Sequence, residues 1–189
     1  MKKIFLLLII SLITFFANAQ FKNHAYFIPQ VALQNGADKV SWQMQFIGGY
    51  KIKSWNVGAG AAIDYYKFRT VPVFVDVRES FTKKLNGLFA YLNAGFNAEW
   101  ILDNQHYNNN NYYSNYLRTN NGWYSDVGVG YKLFAKNNKG LLLSAGFTTK
   151  TLSQVYNEYV FVGVDAVQLL PHKYDYMLNR LAIKIGYEF

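Results

Sequence analysis

From Arg180 to Phe189 every second side chain is apolar: Leu181, Ile183, Ile185, Tyr187 and Phe189 alternate with Arg180, Ala182, Lys184, Gly186 and Glu188. Period two predicts a β-strand with one oily face and one polar face. The same split recurs in six further segments. Over 41–52, Trp42, Met44, Phe46, Tyr50 and Ile52 oppose Ser41, Gln43, Gln45 and Lys51, and over 55–66 the set Trp55, Val57, Ala59, Ala61, Ile63 and Tyr65 opposes Asn56, Gly58, Gly60, Ala62, Asp64 and Tyr66. Segment 71–81 sets four valines and Phe81 against Pro72, Phe74, Asp76, Arg78 and Ser80, with Glu79 the one charge on the oily side. Segments 88–100, 123–134 and 141–150 follow the same rule, with Trp100 and Trp123 on their oily faces. A weaker first strand, 24–34, is interrupted by Pro29, which supplies no ladder donor.

These are eight strands, most of 10 to 13 residues, about twice the average soluble length and close to the roughly 9–11 tilted residues that cross a bilayer. Alternation alone also suits a soluble sandwich. Three features favour a tube in lipid. The polar faces mix Gly, Asn and Gln with charges, as a narrow interior demands. Trp42, Trp55, Trp100 and Trp123 fall at strand ends on the oily side, the positions of an aromatic girdle. Connections after the second, fourth and sixth strands are tight, whereas 102–122 and 151–179 are long, and short turns on one side with long loops on the other describe a transmembrane barrel. The expected fold is all-β: an eight-stranded antiparallel up-and-down transmembrane β-barrel.

The amino terminus is read separately. Lys2 and Lys3 precede a 14-residue run, Ile4 to Ala17, and then Ala17-Asn18-Ala19, the layout of a cleavable export signal. Residues 1–19 are expected to be a signal peptide cut after Ala19, leaving 20–189 as the barrel domain. Without Lys2 and Lys3, 17 basic side chains face 11 acidic ones, net +6. There is no cysteine, which excludes a disulfide scaffold, a thiolate metal site and a lipid-modified cleavage site. No other segment reaches 18 uninterrupted apolar residues, so no spanning helix is expected.

The run Val71-Pro-Val-Phe-Val-Asp-Val-Arg78, the preceding Gly58-Ala-Gly60-Ala-Ala-Ile-Asp64-Tyr65 and the ending Leu181-Ala-Ile-Lys-Ile-Gly-Tyr-Glu-Phe189 resemble the small outer-membrane β-barrel domain family, of OmpX and OmpA transmembrane-domain type. The resemblance covers nearly all of 20–189. It implies a bacterial outer-membrane location. It further implies that Tyr187 and Phe189 form the C-terminal signal read by the barrel-assembly machinery. It says little about activity, since such barrels include adhesins, stability factors and lipid-modifying enzymes.

With polar faces inward, the lumen collects Asp64, Asp76, Glu99, Asp126 and Glu188 with Lys51, Arg78, Lys132, Lys150, Arg180 and Lys184. Five acids facing six bases suggest a charge network that fills the tube, centred on Asp76 and Arg78, rather than an open pore. No enzyme is expected. His24, His106 and His172 lie near strand ends or in loops, where no Ser/His/acid trio can be assembled. Asp103 with His106 is too little for a metal, and Gly58-Ala-Gly60 and Gly128-Val-Gly130 precede no helix, so they are no phosphate loops. No cofactor is expected, and the scattered basic residues argue against nucleic acid.

The expected partners are outer-membrane lipid, the assembly machinery and an extracellular ligand at the long loops. Segment 103–122 has eight Asn and four Tyr in 20 residues, a composition suited to adaptable recognition or to a plain solvated loop. Tyr159 to Val164 is apolar enough for strand, so 151–179 reads either as an extended hairpin or as two more barrel strands. The expected role is that of a monomeric structural or surface-interaction protein. A lipid-modifying enzyme and a small ion-conducting barrel are the alternatives.

Overall fold

The computed structural model describes residues 24–37, 39–81, 87–100, 114–136, 139–161 and 167–189. The signal-peptide reading of 1–19, and Asp103 and His106, lie outside them. Among the described residues nine strands run in order: β1 (Ala25–Gly36), β2 (Val40–Ile52), β3 (Trp55–Asp64), β4 (Thr70–Ser80), β5 (Leu88–Glu99), β6 (Ser114–Asn120), β7 (Gly122–Lys136), β8 (Lys139–Phe161) and β9 (Val167–Glu188). Each pairs antiparallel with its neighbours, and β9 joins both β8 and β1. The sheet therefore closes on itself as an eight-stranded barrel, with β6 prolonging the row of β7. Closure leaves no free ladder edge in the wall.

β4 shows why this sequence makes such a wall. Its outward side chains read Arg69, Val71, Val73, Val75, Val77 and Glu79, while Thr70, Pro72, Phe74, Asp76 and Arg78 are buried inside. Branched valines suit the pleated surface, and the two charges bracket the apolar stretch. Ten residues separate Arg69 from Glu79, about 34 Å along the strand and about 24 Å along the axis at a ~45° tilt, close to the ~25 Å apolar band of membrane barrels. Around the wall, Leu33, Phe96, Leu181 and Ile183 are each more than 60% exposed. A continuous apolar exterior of this kind exceeds the patches a soluble monomer tolerates. Pro29 is accommodated within β1 opposite Phe46, just below the point where the β1–β9 ladder begins at Gln30.

The long connection 151–179 is not a loop. β8 and β9 stay paired from Gly140↔Glu188 to Phe161↔Val167, so the barrel has eight strands rather than ten, and this hairpin projects past the rim. The strict alternation lapses where it leaves the wall. From Leu181 to Phe189 the exposed odd positions are all apolar, whereas beyond Arg180 Lys173, Asp175 and Asn179 share them with Met177, and Leu170, His172, Tyr174, Tyr176 and Leu178 fall on the even side. Part of 103–122 is also strand: β6 pairs with β8 from Ser114↔Glu158 to Asn120↔Ser153. Between Asn120 and Tyr124 three residues oppose two of β8, a bulge that bends the strand. Below it the wall follows β5 up to Asn97↔Gly122; above it β6 follows β8 alone. β3 ends at Asp64 rather than at Tyr66, because Tyr65 to Arg69 turn across the mouth.

Candidate functional site: the filled lumen and its lid

Three tiers of polar contacts cross the lumen. Nearest the termini, Glu188 of β9 pairs with Lys51 of β2 and, at 3.1 Å, with Lys132 of β7. In the middle tier Arg78 Nε donates to both oxygens of Asp76 at 2.9 and 3.0 Å, and the Tyr26 hydroxyl, from β1, donates to the same carboxylate at 3.2 Å. Beside it, Asp126 of β7 pairs with Lys184 of β9 and accepts the hydroxyls of Tyr91 (3.1 Å) and Tyr124 (3.3 Å). Tyr124 reaches the opposite wall, where its hydroxyl accepts from Gln45 at 2.9 Å and Gln43 at 3.3 Å. Amides continue across β1 and β2: Gln30 donates to Gln45, and Gln34 donates to Gln43 at 2.7 Å.

In the tier nearest the mouth, Asp64 of β3 pairs with Lys150 of β8 at 3.1 Å and with Arg180 of β9. Arg180 also donates to Gln34 at 2.6 Å. Asp64, Asp76, Asp126, Lys150, Arg180 and Lys184 are all buried, so these charges survive desolvation through each other and through neutral donors. Opposed charges joined across the tube share the interior with a cluster of buried rings and aliphatic side chains that includes Ile28, Ile47, Phe74, Phe89 and Leu142.

The ten charged residues Lys51, Asp64, Asp76, Arg78, Asp126, Lys132, Lys150, Arg180, Lys184 and Glu188 are thus in these tiers. Glu99 lies at the rim end of β5, half-buried. Trp42, Trp55, Trp100 and Trp123 are exposed on the outer face, and so are Tyr187 and Phe189, whose rings pack edge to face. Sequence reasoning placed Gln43, Gln45 and Tyr91 on polar faces but left them, with Tyr26, Gln30, Gln34 and Tyr124, out of the network, although all share the parity of the charges. The glycines that accommodate two of these rings were a further signal. A Cβ at Gly49 or Gly58 would strike the Tyr26 hydroxyl, and one at Gly128 or Gly146 that of Tyr91, so a ring on one strand fills the gap left by glycine on its neighbours.

Residues 65–69 form a lid. The Tyr66 amide donates to Asp64 Oδ1 at 2.8 Å, and Lys67 adopts a left-handed φ of 57°, which turns the chain back over the mouth. Tyr66 is buried over Arg180, with the guanidinium 5.3 Å from its ring. Lys150 donates to the Phe68 carbonyl at 2.9 Å from the far wall, and Phe68 packs on Tyr176 of β9 with ring centres 5.1 Å apart. Lys150→Met should leave Asp64 paired with Arg180 but free the lid. A charged hydrogen bond is worth about 1.5–3 kcal/mol, so trypsin cleavage after Lys67 should rise about tenfold or more; an unchanged cleavage rate would show that the latch does not hold the loop.

The described histidines stand outside the lumen: His24 stacks on Tyr50, and His172 lies beside Tyr174 on the projecting hairpin. Among the described residues no group of three His, Cys, Asp or Glu is placed to hold a metal.

No family model and no curated protein sequence matches this chain. Among solved structures, the crystal structure of the outer membrane protein OprG from Pseudomonas aeruginosa is similar over 89% of this chain and 97% of its own, with a TM-score of 0.50 and 11% identity. The solid-state NMR structure of outer membrane protein AlkL in DMPC lipid bilayers aligns over 91% and 92%, with a TM-score of 0.48 and 8% identity. The likeness to OprG shows the fold, an eight-stranded antiparallel barrel of the outer-membrane kind.

Proposed function

We propose that this chain is an exported bacterial outer-membrane barrel whose lumen is closed and whose projecting hairpin is a surface for interaction outside the cell. The observation that carries the reading is the pairing of a filled tube with a strand extension. Side chains joined across the lumen in three tiers make the barrel a rigid pedestal, and β6, β8 and β9 continue past its rim as a three-stranded sheet. On the even side of that sheet Tyr156 and Tyr174 pack edge to face at 6.0 Å, with His172 and Tyr176 in the same row. Tyrosines supply contact area at low entropic cost, so the sheet suits a binding surface better than an open pore or a catalytic centre.

The finer placement, beside OmpX and OmpA transmembrane domains, rests on the Val71–Arg78 run and the terminal Tyr187 and Phe189. Assembly by the barrel-assembly machinery, a monomeric state and the lack of a cofactor belong to the same proposal.

Because the sequence holds no cysteine, single reporters test the orientation. Met177, 68% exposed on the projecting hairpin, and Lys53, in the turn between β2 and β3, mark opposite ends. Met177→Cys should react with a membrane-impermeant maleimide on intact cells, and Lys53→Cys only after the outer membrane is permeabilised. Labelling of Lys53→Cys alone on intact cells would reverse the orientation and remove the hairpin as an external surface.

A further inference from the structure

One row on the outer face is explained neither by the lumen nor by the apolar belt. Trp42, Tyr65, Arg69 and Trp100 lie side by side on four adjacent chain segments, one step beyond the registers Gln43↔Asp64, Asp64↔Thr70 and Thr70↔Glu99. Backbone bonds hold the row at both ends, from Tyr65 N to Trp42 O at 3.4 Å and from Trp100 N to Arg69 O at 3.3 Å. The rings of Trp42 and Tyr65 stack at 4.2 Å. The Arg69 guanidinium stands 4.8 Å from the centre of Tyr65 and 5.9 Å from that of Trp100.

Arg69 shares the parity of Val71, Val73 and Val75, so it belongs to the oily exterior and not to the charged interior. Its Nε is buried against these rings without a hydrogen-bond partner, and among the described residues no carboxylate pairs with it. At the other end of the same outward face stands the opposite charge, Glu79, opposite Trp55. A half-buried cation on the apolar side of a rim is costly unless an anion meets it there. The neighbouring rings flank the guanidinium, and a planar fork of N–H donors matches a phosphate in two-point contact. Indole and phenol rings lie at the depth where headgroup meets acyl chain, the level of a lipid phosphate rather than of a solute.

We infer that Arg69, held between Tyr65 and Trp100, binds the phosphate group of a lipid in the leaflet facing away from the chain termini. This rests on the membrane reading above and adds a specific lipid contact to it. The barrel fixes one phosphorylated lipid against the β2–β5 wall, on the side where the rim is low, while the hairpin rises from β8 and β9.

The test is native mass spectrometry of the full-length barrel in a non-ionic detergent. The probes are a bisphosphorylated, acylated glucosamine disaccharide and its dephosphorylated counterpart. The wild-type protein should retain the phosphorylated lipid about tenfold better than the dephosphorylated one. Arg69→Gln should abolish that preference, and Arg69→Lys should restore only part of it, since an ammonium neither stacks nor forks. Lys173→Gln, which alters an exposed lysine paired with Asp175 beyond the rim, should behave as wild type. Insertion into lipid vesicles, measured alongside, separates the two readings. A wild-type barrel that inserts but shows equal retention of both lipids, or an Arg69→Gln variant with the wild-type preference, overturns the phosphate contact alone. A wild-type chain that fails to insert overturns the membrane reading and the contact with it.

Discussion

Replacing Asp126 with alanine is expected to destabilise the barrel by about 3–5 kcal/mol, the usual cost of leaving a buried charge without its partner. Asp126 receives three donors at once: the Lys184 ammonium and the hydroxyls of Tyr91 and Tyr124. Lys184 is buried at 1% exposure and its ammonium also lies 4.4 Å from the Tyr91 ring, so it has no route to water once the carboxylate is gone. Tyr124 would keep its amide contacts with Gln43 and Gln45 on the far wall, which confines the damage to the middle tier. The double variant Asp126→Ala with Lys184→Met should recover most of the loss, because removing both charges also removes the desolvation cost. Reversible denaturant unfolding in lipid vesicles measures both. A loss below about 1 kcal/mol in the single variant would mean that water reaches Lys184 and that the lumen is not closed there.

The second large effect concerns the opposite face. Val75 lies midway between Arg69 and Glu79 on β4 and is 55% exposed. If lipid surrounds the wall, Val75→Arg places a charge near the bilayer midplane and should cost about 2–4 kcal/mol. Met177→Arg, on the still more exposed position of the projecting hairpin, should change stability by no more than about 0.5 kcal/mol. The same unfolding assay compares them. A barrel standing in water would tolerate both changes alike, since each adds a charge to an exposed position.

How much of this was legible follows from what fixes each feature. The eight wall strands were readable because an apolar outer surface and a polar interior enforce period two along the whole wall, as in Leu181 to Phe189. The upper half of β9 was not, because beyond Arg180 the hairpin leaves the closed wall and its odd positions no longer belong to the apolar exterior. The strict alternation lapses at Asn179, where polar side chains join Met177 on the odd side, while the backbone ladder runs on to Val167. β6 was hidden for the same reason inside a stretch rich in Asn and Tyr. The lid was missed because Tyr65 and Tyr66 continue the alternation of β3, and nothing local reveals that Lys150, across the barrel, will hold the Phe68 carbonyl.

Parity told which charged residues face inward, yet it could not tell which would meet. That Asp64 pairs with Lys150 and Arg180, and not with Arg78, depends on strand tilt and on height along the axis, which are properties of the closed barrel. Asp76 and Arg78 were the readable exception, being two residues apart on one strand. Arg69 falls outside every predicted strand, so its place in the outward row became visible only when β4 and β5 were set in register.

The most direct test of the central claim, a closed barrel with its oily face in the membrane and its charges inside, is the electrophoretic mobility of the protein from membrane fractions, unboiled against boiled. The account expects the protein in the membrane pellet and a faster-migrating band before boiling, because the closed ladder and its cross-lumen ion pairs resist SDS until heated. A protein found in the soluble fraction, with the same mobility before and after boiling, would contradict it.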